Sequence, residues 1–326
     1  PKITGIDVSG KKVLLRLDLD TEPDPLDPRV KASEETLNYL KDKGAKIIII
    51  GHKGRPTGNK EEDKKLSLLP FHEIFNRWGA KVEENLRFDP GEEANDEQFA
   101  EKLSHLGDIY INEAFASSHR AHASIVALPR KFKARSKDSV ALGFHFVKEI
   151  ENLNKVIDNP GRPLVVIIGG IKKDKLDYLE GLESIADKVL VGGRLPEYLG
   201  EEEKSIRMIG SDEKRIVANL VMDKEDITLH SIQRFKEEIS KAKTIVLAGP
   251  MGKYEEGGHG QGTKEIFDAI AGSNAFRVTG GGDTELALRA LNVVIGFDWI
   301  SVGGGAMLEF ITKSTLPAID VLGRER

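Results

Sequence analysis

The stretch VVIIGG at residues 165–170 joins an apolar strand to a glycine turn, and it decides the class of fold. Four more apolar runs end in the same way: VLVGG (189–193), IVLAGPMG (245–252), FRVTGGGDT (276–284) and ISVGGGA (300–306). A glycine turn after a strand lets backbone N–H groups approach a phosphate closely. Longer amphipathic stretches separate the runs, an alternation that is typical of parallel sheets with helical crossovers. We therefore predict an α/β unit with a phosphate-binding edge in the second half of the chain.

Basic side chains in the first half also follow predicted strand ends, in GHKGRP (51–56), LRF (86–88) and NEAFASSHRAHAS (112–124). Because loops at the carboxyl ends of parallel strands meet along one edge of a sheet, we expect these segments to converge. Several arginine forks together suit a small, multiply charged anion, whereas a single arginine is most often solvated. The candidates for this anion pocket are Arg16, Arg29, His52, Arg55, Arg87, His119, Arg120 and His122. A metal is the alternative for the two histidines of the third segment, but no third ligand is nearby and anion binding fits better.

Carboxylates and a lysine turn complete the candidate sites. Asp18 and Asp20 alternate with leucines, so both share one face, where they either accept hydrogen bonds from substrate hydroxyls or hold the arginines. GGIKKDK (169–175) places three lysines at a predicted helix start, where cations oppose the helix dipole unless an anion lies between them. A solvated lysine run is the alternative. Asp283 is a candidate ligand of Mg²⁺, which commonly takes one carboxylate with phosphate oxygens and water.

Composition excludes several classes of protein. A length of 326 residues favours two domains, and the net charge of -5 argues against a general nucleic-acid or membrane-surface binder. The sequence contains no cysteine, so disulfides and thiolate catalysis are excluded. It shows neither a charged-then-apolar leader nor an apolar run of about 18 residues, and we expect a cytoplasmic protein. Neither a Walker loop nor a G-x-G-x-x-G fingerprint with a downstream acid is found.

The predicted elements place a domain boundary on a helix at 147–157. We predict domains at 1–148 and 149–312, followed by a weakly periodic tail at 313–326 that is able to return to the first domain. Further helices are predicted at 34–43, 68–78, 174–186, 231–242 and 263–271, the last capped by Thr263. Residues 201–226 form a charged region with little pattern.

With these motifs in order, the chain resembles phosphoglycerate kinase from end to end. The resemblance rests on RLDLD (16–20), GHKGRP, ENLRF (84–88), NEAFASSHRAHAS, GGIKKDK, GPMGKYE (249–255), GGGDT (280–284) and SVGGGA (301–306). It implies an α/β fold of two doubly wound, Rossmann-like parallel-sheet domains joined by a helix hinge. The first domain would bind 3-phosphoglycerate and the second Mg-nucleotide, in a monomer without nucleic-acid or membrane partners.

The implied reaction is the reversible transfer of a phosphoryl group between ATP and the carboxylate of 3-phosphoglycerate. It gives 1,3-bisphosphoglycerate and ADP in glycolysis and gluconeogenesis, by in-line transfer after hinge closure. By position, the resemblance implies an acid-substrate site of Asp18, Asp20, Arg29, His52, Arg55, Arg87 and Arg120. It implies a nucleotide site of Lys175, Glu255, Gly281, Gly282, Asp283 and Thr284. Glu255 would bind the ribose, Asp283 the Mg²⁺, and Arg29 and Lys172 the transferring phosphoryl group.

The chain also departs from the family pattern. Asp20 replaces an asparagine of the first-strand motif, Ala248 replaces an asparagine before GPMG, and the lysine turn is one residue shorter. A stretch between the helix ending near Trp78 and ENLRF is absent, as is much of the segment between Leu199 and Ser231. These changes motivate a second hypothesis, a non-catalytic relative that binds nucleotide or a partner protein. A nicotinamide-dependent dehydrogenase is excluded by the missing fingerprint.

Overall fold

The computed structural model describes residues 1–199 and 213–323, and the chain divides into two compact units. Unit 1 comprises Pro1–Glu151 together with the chain from Thr315 onward, and unit 2 comprises Asn152–Ser314. Each unit is built on one all-parallel sheet, so the predicted α/β fold of two parallel-sheet domains is confirmed. The allocation of one substrate to each domain stays a prediction.

Unit 1 has a five-stranded sheet in the order β3-β2-β1-β4-β5. Its strands are β1 (Lys12–Arg16), β2 (Lys46–Ile50), β3 (Lys81–Val82), β4 (Ile109–Asn112) and β5 (Val140–Leu142). Its helices up to the unit boundary are α1 (Pro28–Asp42), α2 (Lys60–Asp63), α3 (His72–Phe75), α4 (Glu97–Ser104), α5 (Ala127–Arg135) and α6 (Phe144–Ile157). The chain runs outward from β1 to β3 and then restarts at β4, so strand order reverses between β1 and β4. In open α/β sheets that reversal opens a crevice at the carboxyl ends of the two strands.

Unit 2 repeats this plan with a six-stranded sheet in the order β11-β10-β9-β6-β7-β8. Its strands are β6 (Leu164–Ile168), β7 (Lys188–Val191), β8 (Arg215–Val217), β9 (Thr244–Ala248), β10 (Phe276–Gly280) and β11 (Trp299–Ser301). Its helices are α7 (Leu179–Ile185), α8 (Leu229–Lys241), α9 (Gln261–Ala271), α10 (Gly282–Ala290) and α11 (Gly304–Lys313). Strand order reverses between β6 and β9, where Ile168 pairs with Ala248. The second crevice is therefore expected at the glycine turns after these two strands.

Helix α6 begins in unit 1 and ends in unit 2, and the predicted hinge at this helix stays a prediction. The tail, which shows little periodicity in sequence, forms α12 (Pro317–Leu322). Lys133 of α5 donates to the carbonyl of Leu322 at 2.8 Å, so this helix packs within unit 1. None of the helices in the described ranges is long and apolar enough to span a membrane.

Two predicted helices are interrupted. The stretch at 68–78 consists of a 3-10 turn, the short α3 and a second 3-10 turn. The helix predicted at 174–186 begins as a 3-10 helix at Lys173–Tyr178 and continues as α7. Phe71, Phe75 and Trp78 are nevertheless buried, because successive helical turns of either type keep these spacings on one face. Residues 201–212 of the charged region lie outside the described residues.

The prediction that Thr263 caps a helix is wrong. Helix α9 begins two residues earlier, and Thr263 is fully buried in its first turn. Its hydroxyl oxygen accepts hydrogen bonds from the backbone N–H groups of Met251 and Gly252, each at 3.1 Å. Thr263 therefore holds the glycine turn after β9 against α9.

Candidate active site

Arg16, the last residue of β1, lies at the crevice of unit 1 and is fully buried. Its Nε donates to Ser124 Oγ at 2.9 Å, its Nη1 to the carbonyl of Leu17 at 2.5 Å, and its Nη2 to His52 Nδ1 at 2.8 Å. Since Nδ1 accepts from Arg16, the proton of a neutral His52 ring is on Nε2. Arg16 thus sets the tautomer of His52, and its burial makes it a positioning residue of the anion pocket.

Glu92 is a member of this network that sequence reasoning missed. It is fully buried, accepts from Ser124 Oγ at 2.5 Å and from the backbone N–H of Ser124 at 3.0 Å, and approaches His122 Nδ1 to 4.0 Å. Ser124 therefore links the buried carboxylate to the guanidinium of Arg16. A buried charge is tolerated when it is hydrogen-bonded and near an opposite charge. No local signal in the run GEE distinguishes Glu92 from its exposed neighbours.

His52 and His122 are uncharged at neutral pH. Burial lowers the pKa of His52 far below its usual range, and the nearby charges of Arg16 and Arg87 lower it further. Burial and the same arginines lower the pKa of His122 to about 4. These histidines therefore add hydrogen-bonding groups and no positive charge to the pocket, because several arginines in a confined space disfavour another positive group.

Arginines from two other loops lie near His52. Arg87 and Arg120 both lie close enough to lower its pKa, and the side chain of Arg87 is only 3% exposed. Arg87 Nη1 donates to the carbonyl of Gly54 at 2.7 Å, which ties the LRF turn to the GHKGRP loop. Arg55 is exposed on that loop. The structure thus brings Arg16, Arg87, Arg120 and His122 around His52, whereas no described contact places Arg55 or Arg29 beside that ring, and the roles of all these residues toward a substrate stay predictions.

Two buried nitrogens of this cluster make no hydrogen bond within the described residues. They are Arg87 Nε and His122 Nδ1. Their nearest carboxylates, Glu93 at 3.6 Å from Arg87 Nε and Glu92 at 4.0 Å from His122 Nδ1, are beyond hydrogen-bond distance, so both nitrogens can still donate to or accept from a further partner. The arginines that surround them make an anion the partner that fits.

Asp18 and Asp20 each hold a different loop. Asp18 is nearly buried, accepts from the backbone N–H of Ala116 at 2.8 Å and is hydrogen-bonded by the hydroxyl of Ser117. Asp20 accepts from the backbone N–H of Gly54 at 2.7 Å, and its own carbonyl oxygen accepts from Arg29 Nη1. These carboxylates bind loop backbone and Ser117 and make no hydrogen bond to an arginine among the described contacts, so both roles that the sequence left open stay predictions.

In unit 2, Lys175 crosses the crevice between β6 and β9. Its Nζ donates to the carbonyl of Gly169 at 2.8 Å and to that of Ala248 at 3.2 Å. Burial lowers its pKa to about 8. Gly249 has a φ of +108°, and a Cβ there would lie 2.5 Å from the ammonium, so only glycine leaves room for this lysine. The shortened lysine turn therefore keeps a cation at the strand ends.

Lys172, Gly281 and Asp283 lie at the start of α10. Lys172 Nζ is 3.7 Å from Asp283 Oδ2, and both side chains are more than half exposed. Gly281 precedes the helix with a φ of +102°, and Gly282 is exposed in the first turn. Thr284 is buried and its hydroxyl oxygen accepts from the backbone N–H of Gly249 at 2.9 Å, so it joins α10 to the turn after β9.

This helix start suits a magnesium-bound phosphate. The exposed carboxylate of Asp283 offers one metal ligand. The ammonium group of Lys172 and the N–H groups at the start of α10 offer two kinds of contact to a phosphate. Across the described ranges no three acidic or histidine side chains come together as a metal site. The donor set therefore fits Mg²⁺ carried in with phosphate oxygens, and it does not fit a metal held by protein ligands alone.

A cavity of about 480 Å³ opens beside these groups. Its wall includes Gly170 and Asp283, and Glu255, which is exposed. Arg194 and Glu225, which sequence reasoning did not single out, also line it. Arg194 directly follows the glycine turn after β7, and residues at the carboxyl ends of parallel strands line the crevice, so its position in the sequence could have identified it. Sequence reasoning considered only the glycines of that turn.

Comparisons with known proteins agree over the whole chain. The family model for phosphoglycerate kinase matches residues 3–83, 79–211 and 197–313. The phosphoglycerate kinase of Dictyoglomus turgidum is 34% identical over 97% of this chain and 96% of its own, and that of Anaeromyxobacter sp. (strain K) is 32% identical over 97% and 98%. The solved phosphoglycerate kinase from Coxiella burnetii is 26% identical with a TM-score of 0.80, covering 99% of this chain and 98% of its own. The one from Pyrococcus horikoshii OT3 is 26% identical with a TM-score of 0.75, covering 98% of both chains.

The alignment with the Dictyoglomus protein runs over 390 positions, although this chain has 326 residues, so the relative contains segments that this chain lacks. The likeness nevertheless extends across both units. The chain therefore belongs to the phosphoglycerate kinase family.

Proposed function

We propose that this chain catalyses the reversible transfer of a phosphoryl group between ATP and the carboxylate of 3-phosphoglycerate. The observation that carries the proposal is the cluster of Arg87, Arg120 and His122 around His52, with two buried nitrogens that make no hydrogen bond within the described residues, in a chain whose other unit has a glycine-lined edge. Such a crevice suits a small acid with a phosphate, and the glycine-lined edge suits a nucleotide.

In unit 1 the arginines bind the acid substrate. Arg87 and Arg120 neutralise its charge, Arg55 adds an exposed cation, and His52 donates from Nε2 as a neutral ring. Asp18 and Asp20 keep the loops of this site in place through backbone contacts. Because the pKa values of His52 and His122 are lowered, the positive charge that binds the substrate comes from the arginines, and His52 contributes a neutral N–H donor.

In unit 2 the glycine turns and lysines bind the nucleotide. Gly281 and Gly282 present the start of α10 to the phosphates, Lys175 lies across the strand ends, and Glu255 is placed to accept from ribose hydroxyls. Asp283 is the residue that would hold Mg²⁺. When bound, Mg²⁺ neutralises phosphate charge and orients the transferring group.

The chemistry needs no protein nucleophile. In the direction of acyl phosphate formation, a carboxylate oxygen of 3-phosphoglycerate attacks the γ-phosphorus, the bond to the β–γ bridging oxygen breaks, and ADP leaves with that electron pair. No proton moves in this step. Arg29 and Lys172 are the cations assigned to the equatorial oxygens, where negative charge is spread in the transition state.

The test is a coupled assay with 3-phosphoglycerate and Mg-ATP, run on the wild type and on Arg29→Ala. We expect turnover in the wild type and a loss of about a hundredfold or more in kcat for the variant, as for a contact made in the transition state. Arg130→Ala is the matched control, because Arg130 is exposed on α5 and pairs only at the surface with Glu97.

Two outcomes would contradict the proposal. Binding of Mg-ATP without any turnover would favour the non-catalytic relative. Full activity of Arg29→Ala would remove that residue from the transfer step. That the protein acts as a monomer in the cytoplasm stays a prediction, which size-exclusion chromatography and fractionation of the native cells would test.

A further inference from the structure

The order of strands in unit 2 separates two ends of the nucleotide cavity. The phosphate end is marked by Asp283 at the start of α10, and Lys172 approaches it to 3.7 Å from the turn after β6. The turn at Gly193 and Arg194 follows β7, on the other side of β6. Neighbouring strands are about 4.8 Å apart, so three strand intervals place the β7 turn roughly 14 Å from the start of α10. A nucleotide whose phosphates bind at α10 and whose base lies along this cavity would have its base near the turn after β7.

Two charged side chains form the cavity wall at that end, Arg194 and Glu225. Arg194 Nε and Nη2 donate to Glu197 Oε2 at 3.2 and 2.9 Å, and Glu197 is held in turn by Lys224 at 2.8 Å. Arg194 Nη1 lies 3.6 Å from Glu225 Oε1, which is longer than a hydrogen bond. One edge of the guanidinium is thus fixed, while Nη1 lies beside the carboxylate of Glu225 in two residues that both line the cavity.

The backbone holds both residues in position. The N–H of Arg194 donates to the carbonyl of Gly170 at 3.0 Å, and the carbonyl of Glu225 accepts from the N–H of Lys253 at 2.8 Å. Arg194 is therefore attached to the glycine turn after β6, and Glu225 to the turn after β9. An exposed ion pair on a mobile surface contributes little to stability. A pair held in place by the backbone of a cavity wall already has a fixed geometry in which it can bind a ligand.

The order of donor and acceptor groups matches one purine. Nη1 of Arg194 offers a donor, and the two oxygens of Glu225 offer acceptors beside it. Guanine presents the complement along one edge, with O6 as acceptor and N1–H and the 2-amino group as donors. Adenine has only N1 and the 6-amino group there, so it forms one hydrogen bond fewer.

We propose that Arg194 and Glu225 read the base of the nucleotide and favour guanine over adenine, an inference that rests on the proposed function of this site. Hypoxanthine lacks the 2-amino group and loses one contact to Glu225. Xanthine replaces that group with a carbonyl oxygen, which the carboxylate of Glu225 repels.

The experiment compares GTP, ITP, ATP and XTP, each with Mg²⁺, in steady-state assays of the intact protein. We expect kcat/KM for GTP to exceed that for ATP by about tenfold, the size of one good base contact, with ITP below GTP and XTP poorest. In Glu225→Gln the amide N–H₂ donates to the xanthine carbonyl, so XTP gains at least tenfold relative to GTP. A structural role for Glu225 would not produce that gain.

The matched control is Glu256→Gln, which removes a carboxylate from the same cavity wall, where it pairs with Lys253 at 2.5 Å. Its order of nucleotide preference should be that of the wild type. A preference for ATP over GTP in the wild type, or an unchanged order in Glu225→Gln, would overturn the inference.

Binding measurements separate this inference from the proposed function. If no nucleotide supports turnover, the proposed function fails, and titration with fluorescent GDP and ADP derivatives still reports base preference. Tighter binding of the GDP derivative, reduced by Arg194→Met, supports base reading. Equal binding of both derivatives refutes it.

Discussion

Replacing Arg16 with lysine keeps the charge but removes the geometry that organises the crevice of unit 1. The guanidinium donates from three different nitrogens to Ser124, Leu17 and His52. A lysine has one nitrogen at the end of a flexible chain, so it cannot reach all three acceptors at once. We expect Arg16→Lys to lose two of the three hydrogen bonds.

The magnitude follows from those contacts. A hydrogen bond from a charged group contributes about 1.5–3 kcal/mol, so the loss of two, partly offset by rearrangement, lowers the free energy of unfolding of unit 1 by about 3 kcal/mol. His52 also loses the donor that sets its tautomer. The binding of 3-phosphoglycerate therefore weakens, because Nε2 of His52 no longer carries its proton in every molecule.

The assay is urea unfolding with tryptophan fluorescence in a Trp299→Phe background. The sequence contains 2 tryptophans, and Trp78 then reports unit 1 alone. Arg130→Lys is the control, since the side chain of Arg130 is 59% exposed, and it should change stability by less than about 0.5 kcal/mol. Nitrogen NMR of the imidazole reads the tautomer of His52. A change in stability below about 1 kcal/mol with the tautomer retained would refute the role assigned to Arg16.

Three further predictions follow from the described contacts. The pKa values of His52 and His122 are lowered in the folded state, so the unfolded state binds more protons below pH 6.5. Stability should then fall on acidification from pH 6.5 toward 4, by about 1.4 kcal/mol per pH unit for each histidine, and His52→Gln should reduce the slope measured by urea unfolding. Lys175, with a pKa of about 8, loses its charge as pH rises through 8, so calorimetry should show weaker ADP binding at pH 9 than at pH 7, but not in Lys175→Arg. Thr263→Val leaves two backbone N–H groups without an acceptor and should cost about 2–5 kcal/mol in thermal or urea unfolding, whereas full stability would contradict the assigned contacts.

The strands and their turns were accessible to sequence reasoning because they are local. In a parallel sheet covered on both faces, strands such as LVVII are continuous apolar runs, and the glycines that follow mark their ends. The loops with Arg87, Arg120 and His52 were grouped because strand ends share one edge. Helix 68–78 was predicted whole because its buried residues keep helical spacing, although hydrogen bonding there changes between 3-10 and α.

The network beneath the arginines was not accessible in this way. Arg16 and Ser124 are 108 positions apart, and Glu92 and Ser124 are 32 apart, so no window of sequence contains both members of either pair. Thr263 has the residue type of a helix cap but serves as an acceptor for the turn after β9. Residue type alone does not distinguish these roles, since the partner arrives only with the fold.

Local pattern alone therefore establishes the α/β class, the order of the motifs and the side chains that gather at each strand end. Tertiary structure decides their charge and their partners. The burial of His52 among arginines makes it neutral, and the parallel placement of β6 and β9 puts carbonyl oxygens against Lys175. The physical reason is that strand and helix patterns depend on neighbours a few residues away, whereas pKa values and hydrogen-bond satisfaction depend on all groups within a few ångströms, whatever their separation along the chain.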